Sequence, residues 1–134
     1  MSVGYRDGFI GEGQISYAGP GAAARGRLAL DIVSERLAIR ALPIDELRLE
    51  LIGVDAVNFT PAAPADLREV RIRVAARARD RNTAIAVGAE VEALYTNGPA
   101  GGGGAWASSR EVVAIASSFI GRDAVDVTLV WAEA

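Results

Sequence analysis

Residues 68 to 80, REVRIRVAARARD, alternate between two chemistries. Val70, Ile72, Val74, Ala76 and Ala78 occupy the even positions; Arg71, Arg73, Arg77 and Arg79 occupy odd ones. A period of two places successive side chains on opposite faces of a strand. This segment is therefore a strand with one apolar and one cationic face. ELRLELIG, residues 46 to 53, alternates likewise, with Leu47, Leu49 and Leu51 against Glu46, Arg48 and Glu50. Two one-faced strands imply a sheet covered on one side, the habit of antiparallel sheets. As neighbours they would pair Arg with Glu across the ladder. The stretch between them, VDAVNFTPAAPADL, carries two prolines and reads as an excursion rather than a hairpin.

Helical spacing flanks this pair. In residues 20–40, Leu28 and Ile32 and the row Ala29, Val33, Leu37 form an apolar stripe. Pro20 suits the first turn and Pro43 lies beyond the end. The second helix, 81–96, follows Asp80 as N-cap, with Asn82 as the alternative. Its stripe is Ala84, Val87, Gly88, Val91, Leu94 and Tyr95, and Gly98 fits a left-handed C-terminal cap. The remaining strands are 13–18, 110–120 and 124–133. The strand 110–120 is apolar on both faces and expected to be central, and Gly121-Arg122-Asp123 turns into the last. The order β(13–18) α(20–40) β(46–53) β(67–79) α(81–96) β(110–120) is the ferredoxin-like β-α-β-β-α-β pattern, with β(124–133) extending an edge. The expected class is α+β: a two-layer sandwich with a mostly antiparallel sheet and two helices on one face. At 134 residues it reads as a single domain, 1–134.

Missing residue types restrict the chemistry. The chain has no Cys, no His and no Lys; all 14 basic residues are Arg. Thiolate, imidazole and amine catalysis are excluded, and Arg stays protonated. Without Cys or His, no metal site is expected. The net charge of −3 gives no general attraction to nucleic acid. No apolar run reaches the ~18 residues of a membrane helix, and no signal peptide is evident. The expected location is cytoplasmic, with neither nucleic acid nor membrane as partner.

Two glycine-rich stretches stand out. TNGPAGGGGAWASS, residues 96–109, places Asn97, Gly98, Gly101, Gly102, Gly103 and Gly104 after a helix and before a strand. A phosphate loop runs the other way, from strand into helix N-terminus, so a P-loop is excluded. The stretch is either a flexible connector or a backbone lining that approaches a ligand. GYRDGFIGEGQISYAGPG, residues 4–21, ends at a helix start, where Ser16, Tyr17 and Gly19 could face an anion. The alternative is a glycine-permitted turn before a helix. Glu12 is the candidate general base. The Arg face, with Arg71, Arg73 and Arg77, is either an interface or a solvated, salt-bridged surface. It lacks the aromatic residues with which RNA-binding sheets stack bases.

GYRDGFIGEGQISYAGPGAAARGRLALDIVSERL, ELRLELIGVDAV, EVRIRVAARARD and EVEALYTNGPAGGGG resemble the acyclic terpene utilisation family, AtuA. The resemblance spans nearly the whole chain and is weakest at the excursion and the last strand. It implies the C-terminal part of a larger domain, either excised or encoded as a separate subunit. The implied partner is the N-terminal portion or a subunit carrying it, with a homo-oligomer expected. It implies a role in the degradation of acyclic terpenes such as citronellol and geraniol, or of branched-chain acyl groups. The glycine-rich stretches would contribute to a ligand cleft. No cofactor is expected in this chain; an acyl-CoA-like ligand would belong to the full-length family. The other function weighed is a non-catalytic assembly domain using the Arg face.

Overall fold

The computed structural model describes residues 1–57 and 67–132. Strands β1 (Ser2–Ala18), β2 (Ile44–Ile52), β3 (Glu69–Ala78) and β4 (Gly102–Ser117) alternate with helices α1 (Ala22–Ile39), α2 (Arg81–Glu92) and the short α3 (Leu94–Asn97). The sheet order is β2-β3-β1-β4, and every pairing is antiparallel. This is the order that β-α-β-β-α-β connectivity produces, with the helices packed on one face. The α+β two-layer architecture is thus as the periodicity predicts. Part of the excursion, residues 58–66, lies outside the described residues, as do 133–134.

β3 behaves as its alternation requires. Val70, Ile72, Val74, Ala76 and Ala78 are buried, while the arginines between them lie on the opposite, open face. They meet Ile15 and Tyr17 of β1, Leu51 of β2, Val33 and Leu37 of α1, and Val87 and Val91 of α2 in one core. Fully burying a large aliphatic side chain stabilises by about 1.5–3 kcal/mol. Asp80 caps α2: its carboxylate accepts from the Thr83 backbone N–H at 2.9 Å and from the Thr83 hydroxyl at 2.7 Å. In α1 the Ala29–Val33–Leu37 row is buried as expected, but Leu28 faces solvent and Gly26 takes its place. α2 also buries Glu90, which accepts from Arg36 Nε and from Arg40 Nη1, the latter at 2.7 Å, and so ties α1 to α2. Burial opposes ionisation of Glu90, but the two guanidinium groups outweigh it and hold its pKa below the usual carboxylate range.

Four expectations need correction. β1 is not a short strand preceded by a loop; it runs from Ser2 and lies in the centre of the sheet. β4 starts within the glycine run and is an edge strand, not a central one; Val113 and Ile115 are exposed. Gly98 has φ −95° and is not a left-handed cap. The fifth strand expected, 124–133, does not form: after a 3₁₀ turn at Arg122–Ala124, residues 125–132 join no sheet, and Val127, Leu129, Val130 and Trp131 face solvent. Alternation supplies the faces of a strand. The hydrogen-bonding neighbour has to come from elsewhere, and among the described residues it does not.

The glycines of β1 have a packing role. A Cβ on Gly11 would lie 2.5 Å from the carbonyl carbon of Ala84 on α2, and closer still to its oxygen. One on Gly13 would lie 2.6 Å from Val91 Cβ. From the other side, a Cβ on Gly88 of α2 would come within 3.0 Å of the Glu12 carbonyl oxygen and of Ala107 Cβ. α2 therefore rests directly on the backbone of β1, and only hydrogen fits between them.

Candidate functional site

The helix-free face of the sheet carries most of the polar chemistry. The register sets it out in rows across β2, β3, β1 and β4: Glu46–Arg77–Ile10–Arg110, Arg48–Ala75–Glu12–Ser108, Glu50–Arg73–Gln14–Trp106 and Ile52–Arg71–Ser16–Gly103. Acids and arginines are interleaved by alternation along each strand and by pairing between strands.

Arg73 is the hub. Its Nε and Nη2 donate to the two carboxylate oxygens of Glu12 at 2.8 and 2.9 Å, and Nη1 donates to Glu50 at 2.8 Å. Gln14 Nε2 donates to Glu12 at 2.6 Å. The Arg73 hydrogen bonds hold the Glu12 pKa below its ordinary value against the opposing effect of burial, and the two carboxylates raise that of Arg73. Glu12 is thus a fixed counter-ion. A general base must take up a proton near the working pH, and this environment disfavours that. Arg71 donates to Gln14 Oε1 at 2.5 Å, to the Ser16 hydroxyl at 2.9 Å and to the Gly104 carbonyl at 3.1 Å. Arg77 pairs with Asp7 at 2.6 Å. Arg73 and Arg77 are therefore neutralised by acids of their own sheet, whereas Arg71 is held by three neutral acceptors. Arg110 is exposed and has no ion pair among the described residues.

The two glycine-rich stretches do meet. Ser16 lies opposite Gly103, and Tyr17 opposite Gly102. Arg25 of α1 joins them, donating to the Ala100 carbonyl at 2.6 Å and to the Ala18 carbonyl at 2.5 Å. A hollow of about 390 Å³ opens here, lined by Ser16, Ala18, Glu69, Arg71, Gly101, Gly103 and Gly104. Four of the ligand-binding candidates, Ser16, Gly101, Gly103 and Gly104, are thus brought together, with Arg71 of the Arg face beside them. The others lie elsewhere. Tyr17 is fully buried under the helices, its hydroxyl enclosed without a hydrogen-bond partner among the described residues and its pKa raised by burial. The Gly19 N–H donates to the Arg68 carbonyl at 2.8 Å, so it is not free for an anion. Asn97 and Gly98 close α3 and do not line the hollow. Gly101 and Gly104 have φ of 78° and 61°, a region that favours glycine, whereas Gly102 abuts Ile15 and Tyr17. Gly103 alone of the run has neither constraint: a Cβ there would meet nothing within 4 Å.

Glu90 and the part of Glu12 in the Arg73 hub escaped the sequence reading, which expected only the pairing of the β3 arginines with the glutamates of β2. Glu90 sits three residues after Val87 and so on the edge of the apolar stripe, and the arginines of α1 that could pair with it were the available signal. Among the described residues no cluster of His, Cys, Asp or Glu is arranged to hold a metal ion, and no helix is long and apolar enough to cross a membrane.

A family model described as "Acyclic terpene utilisation family protein AtuA" matches residues 1–131. No curated protein and no solved structure matches the chain.

Proposed function

The chain belongs to the acyclic terpene utilisation family AtuA, and from that premise we propose that it serves terpene utilisation as a non-catalytic assembly component. The supporting observation is where its uncovered apolar surface lies. Beyond the row of Phe9 and Ala78, β1 and β4 continue alone as a two-stranded ribbon, Ser2–Arg6 paired with Val113–Ser117. Val3, Tyr5, Val113 and Ile115 on it are all exposed. Opposed partners share a face, so Val3 and Tyr5 lie on one side of the ribbon and Val113 and Ile115 on the other. A two-stranded ribbon is marginal in water unless something covers it, and apolar side chains exposed on both of its sides mark it for interaction. On the Arg face, by contrast, Arg73 and Arg77 are already paired with acids of the same sheet, so the ribbon is the better docking surface.

The test is a double variant, Val113→Glu with Ile115→Glu, in a host that requires this protein for growth on an acyclic terpenoid. Both side chains are solvent-exposed, so the melting temperature stays close to that of the parent. Growth on the terpenoid is lost. Parent-like growth would overturn the assembly reading.

A second reading draws on the hollow at Ser16, Arg71 and Gly103. The guanidinium of Arg71 has five N–H groups, of which three are engaged, and Gly103 leaves room for close approach. An anionic acyl thioester such as an acyl-CoA is the ligand class that fits, with the rest of its cleft supplied by a partner polypeptide.

A further inference from the structure

Residues 125–131 read Val, Asp, Val, Thr, Leu, Val, Trp, a strand pattern with Val125, Val127, Leu129 and Trp131 on one side. No strand of the described chain pairs with them, and Leu129, Val130 and Trp131 are 79–89% exposed. At the far side of the sheet, β2 is an edge strand. A hollow of about 390 Å³ runs beside it, lined by Leu47, Arg48, Leu49, Glu50, Asp55 and Ala56. Leu47 and Leu49 point to the helix side, in register with buried Ala76 and Val74, yet remain 38% exposed. One protein thus carries an unpaired strand sequence and an edge whose core-side leucines are incompletely covered.

We propose that residues 124–131 of one copy add as a strand to the outer edge of β2 in a second copy, antiparallel, with Asp126 opposite Arg48. This rests on the assembly reading and names its partner. Charge selects the register. With Asp126 at Arg48, Val125 and Val127 fall beside Leu49 and Leu47 on the helix side, and Thr128 falls beside Glu46. A shift of two residues keeps the faces but sets Asp126 against Glu50 or Glu46. Arg48 has room for a new partner, since it is largely exposed and its own contacts, to Glu46 and Glu50, are 3.7 and 3.8 Å.

Reach excludes the same pairing within one chain. β4 ends at Ser117, opposite Ser2, whereas Arg48 shares a row with Glu12 and Ser108. Strand rise and spacing put the new position roughly 35 Å from Ser117, about 30 Å along the strands and about 19 Å across four spacings. Nine residues, three of them in a 3₁₀ turn, extend to roughly 27 Å at most. The donor must be another molecule, and a two-fold exchange satisfies both copies at once.

The experiment is sedimentation equilibrium of the full chain over a range of concentrations, with charge-reversal variants. The parent is expected to dimerise. Arg48→Asp and Asp126→Arg each weaken the dimer about tenfold or more, and the double variant recovers most of the loss, since each reversal alone opposes like charges. Leu129→Pro, in an exposed segment outside the body of the fold, abolishes the dimer while leaving the melting temperature unchanged at concentrations where the parent is itself monomeric. A parent that stays monomeric overturns the exchange, as does a dimer indifferent to all three variants. Monomers whose 125–131 amides are protected from hydrogen exchange would overturn it too, by showing a hairpin onto the chain's own β4. If Val113→Glu with Ile115→Glu still blocks growth when the parent is monomeric, assembly through the ribbon stands and only the exchange is lost.

Discussion

Gly11→Ala is expected to destabilise the protein by about 3 kcal/mol or more, the upper end of overpacking costs. The added methyl would meet main chain on both sides: β1 on which it is built, and the Ala84 carbonyl of α2. A flexible side chain could swing away, but a helix turn cannot move without dragging Val87 and Val91 out of the core. β1 cannot retreat either, because it is hydrogen-bonded to β3 on one side and β4 on the other. Gly103→Ala is the matched control. It is an equal change in a strand of the same sheet, into open space, and should stay within about 0.5 kcal/mol of the parent. Urea unfolding of the two variants beside the parent checks both. Equal losses would mean that helix and sheet are not in contact at Gly11.

Arg73→Met is the second large effect, expected at about 2–4 kcal/mol. The change keeps most of the aliphatic stem but leaves Glu12 and Glu50 facing each other without the guanidinium between them. Their side chains are only 15% and 21% exposed, so water restores little of what is lost. The pH dependence has a definite sign. The Glu12 pKa is lowered on folding, chiefly by the Arg73 hydrogen bonds. Its contribution is therefore present above the unfolded carboxylate pKa and disappears as pH falls through the folded one. The gap between parent and Arg73→Met should narrow on acidification over that window, because the parent loses the interaction the variant already lacks. Arg48→Met, at an exposed and loosely paired arginine on the same face, should change stability by no more than about 0.5 kcal/mol at any pH. Denaturation series at neutral and acid pH separate the cases. A gap that widened in acid would contradict the Arg73 clasp.

Much of this architecture is legible in residue order. The alternation of β3 predicts its faces, the Asp80–Thr83 cap marks the start of α2, and the element order gives the strand order. What misleads is glycine. Between residues 8 and 13 the glycines suggest a loop, yet Gly11 and Gly13 share parity with Ile15 and Tyr17 while Glu12, Gln14 and Ser16 share the other. That is a strand whose inner face is thinned to admit a helix. The same error moves the start of β4 from Gly102 to residue 110. The apolar run at 112–116 suggests a central strand because composition records hydrophobicity on both faces but not which neighbours supply the cover. Whether the arginines would be free or clasped depended on which acids lay opposite, and that requires the register. The meeting of Ser16 with Gly103 is a tertiary fact of the same kind.

One measurement separates function through an uncovered surface from function through a glycine-lined cleft: growth on an acyclic terpenoid of a host whose only copy of this protein carries Gly103→Val. The position opens onto the hollow and has no steric need for glycine, so the variant should fold like the parent. Parent-like growth is the expected result, because assembly through the ribbon does not involve that hollow. Lost growth in a variant of undiminished stability would contradict it and place the working site at Ser16, Arg71 and Gly103.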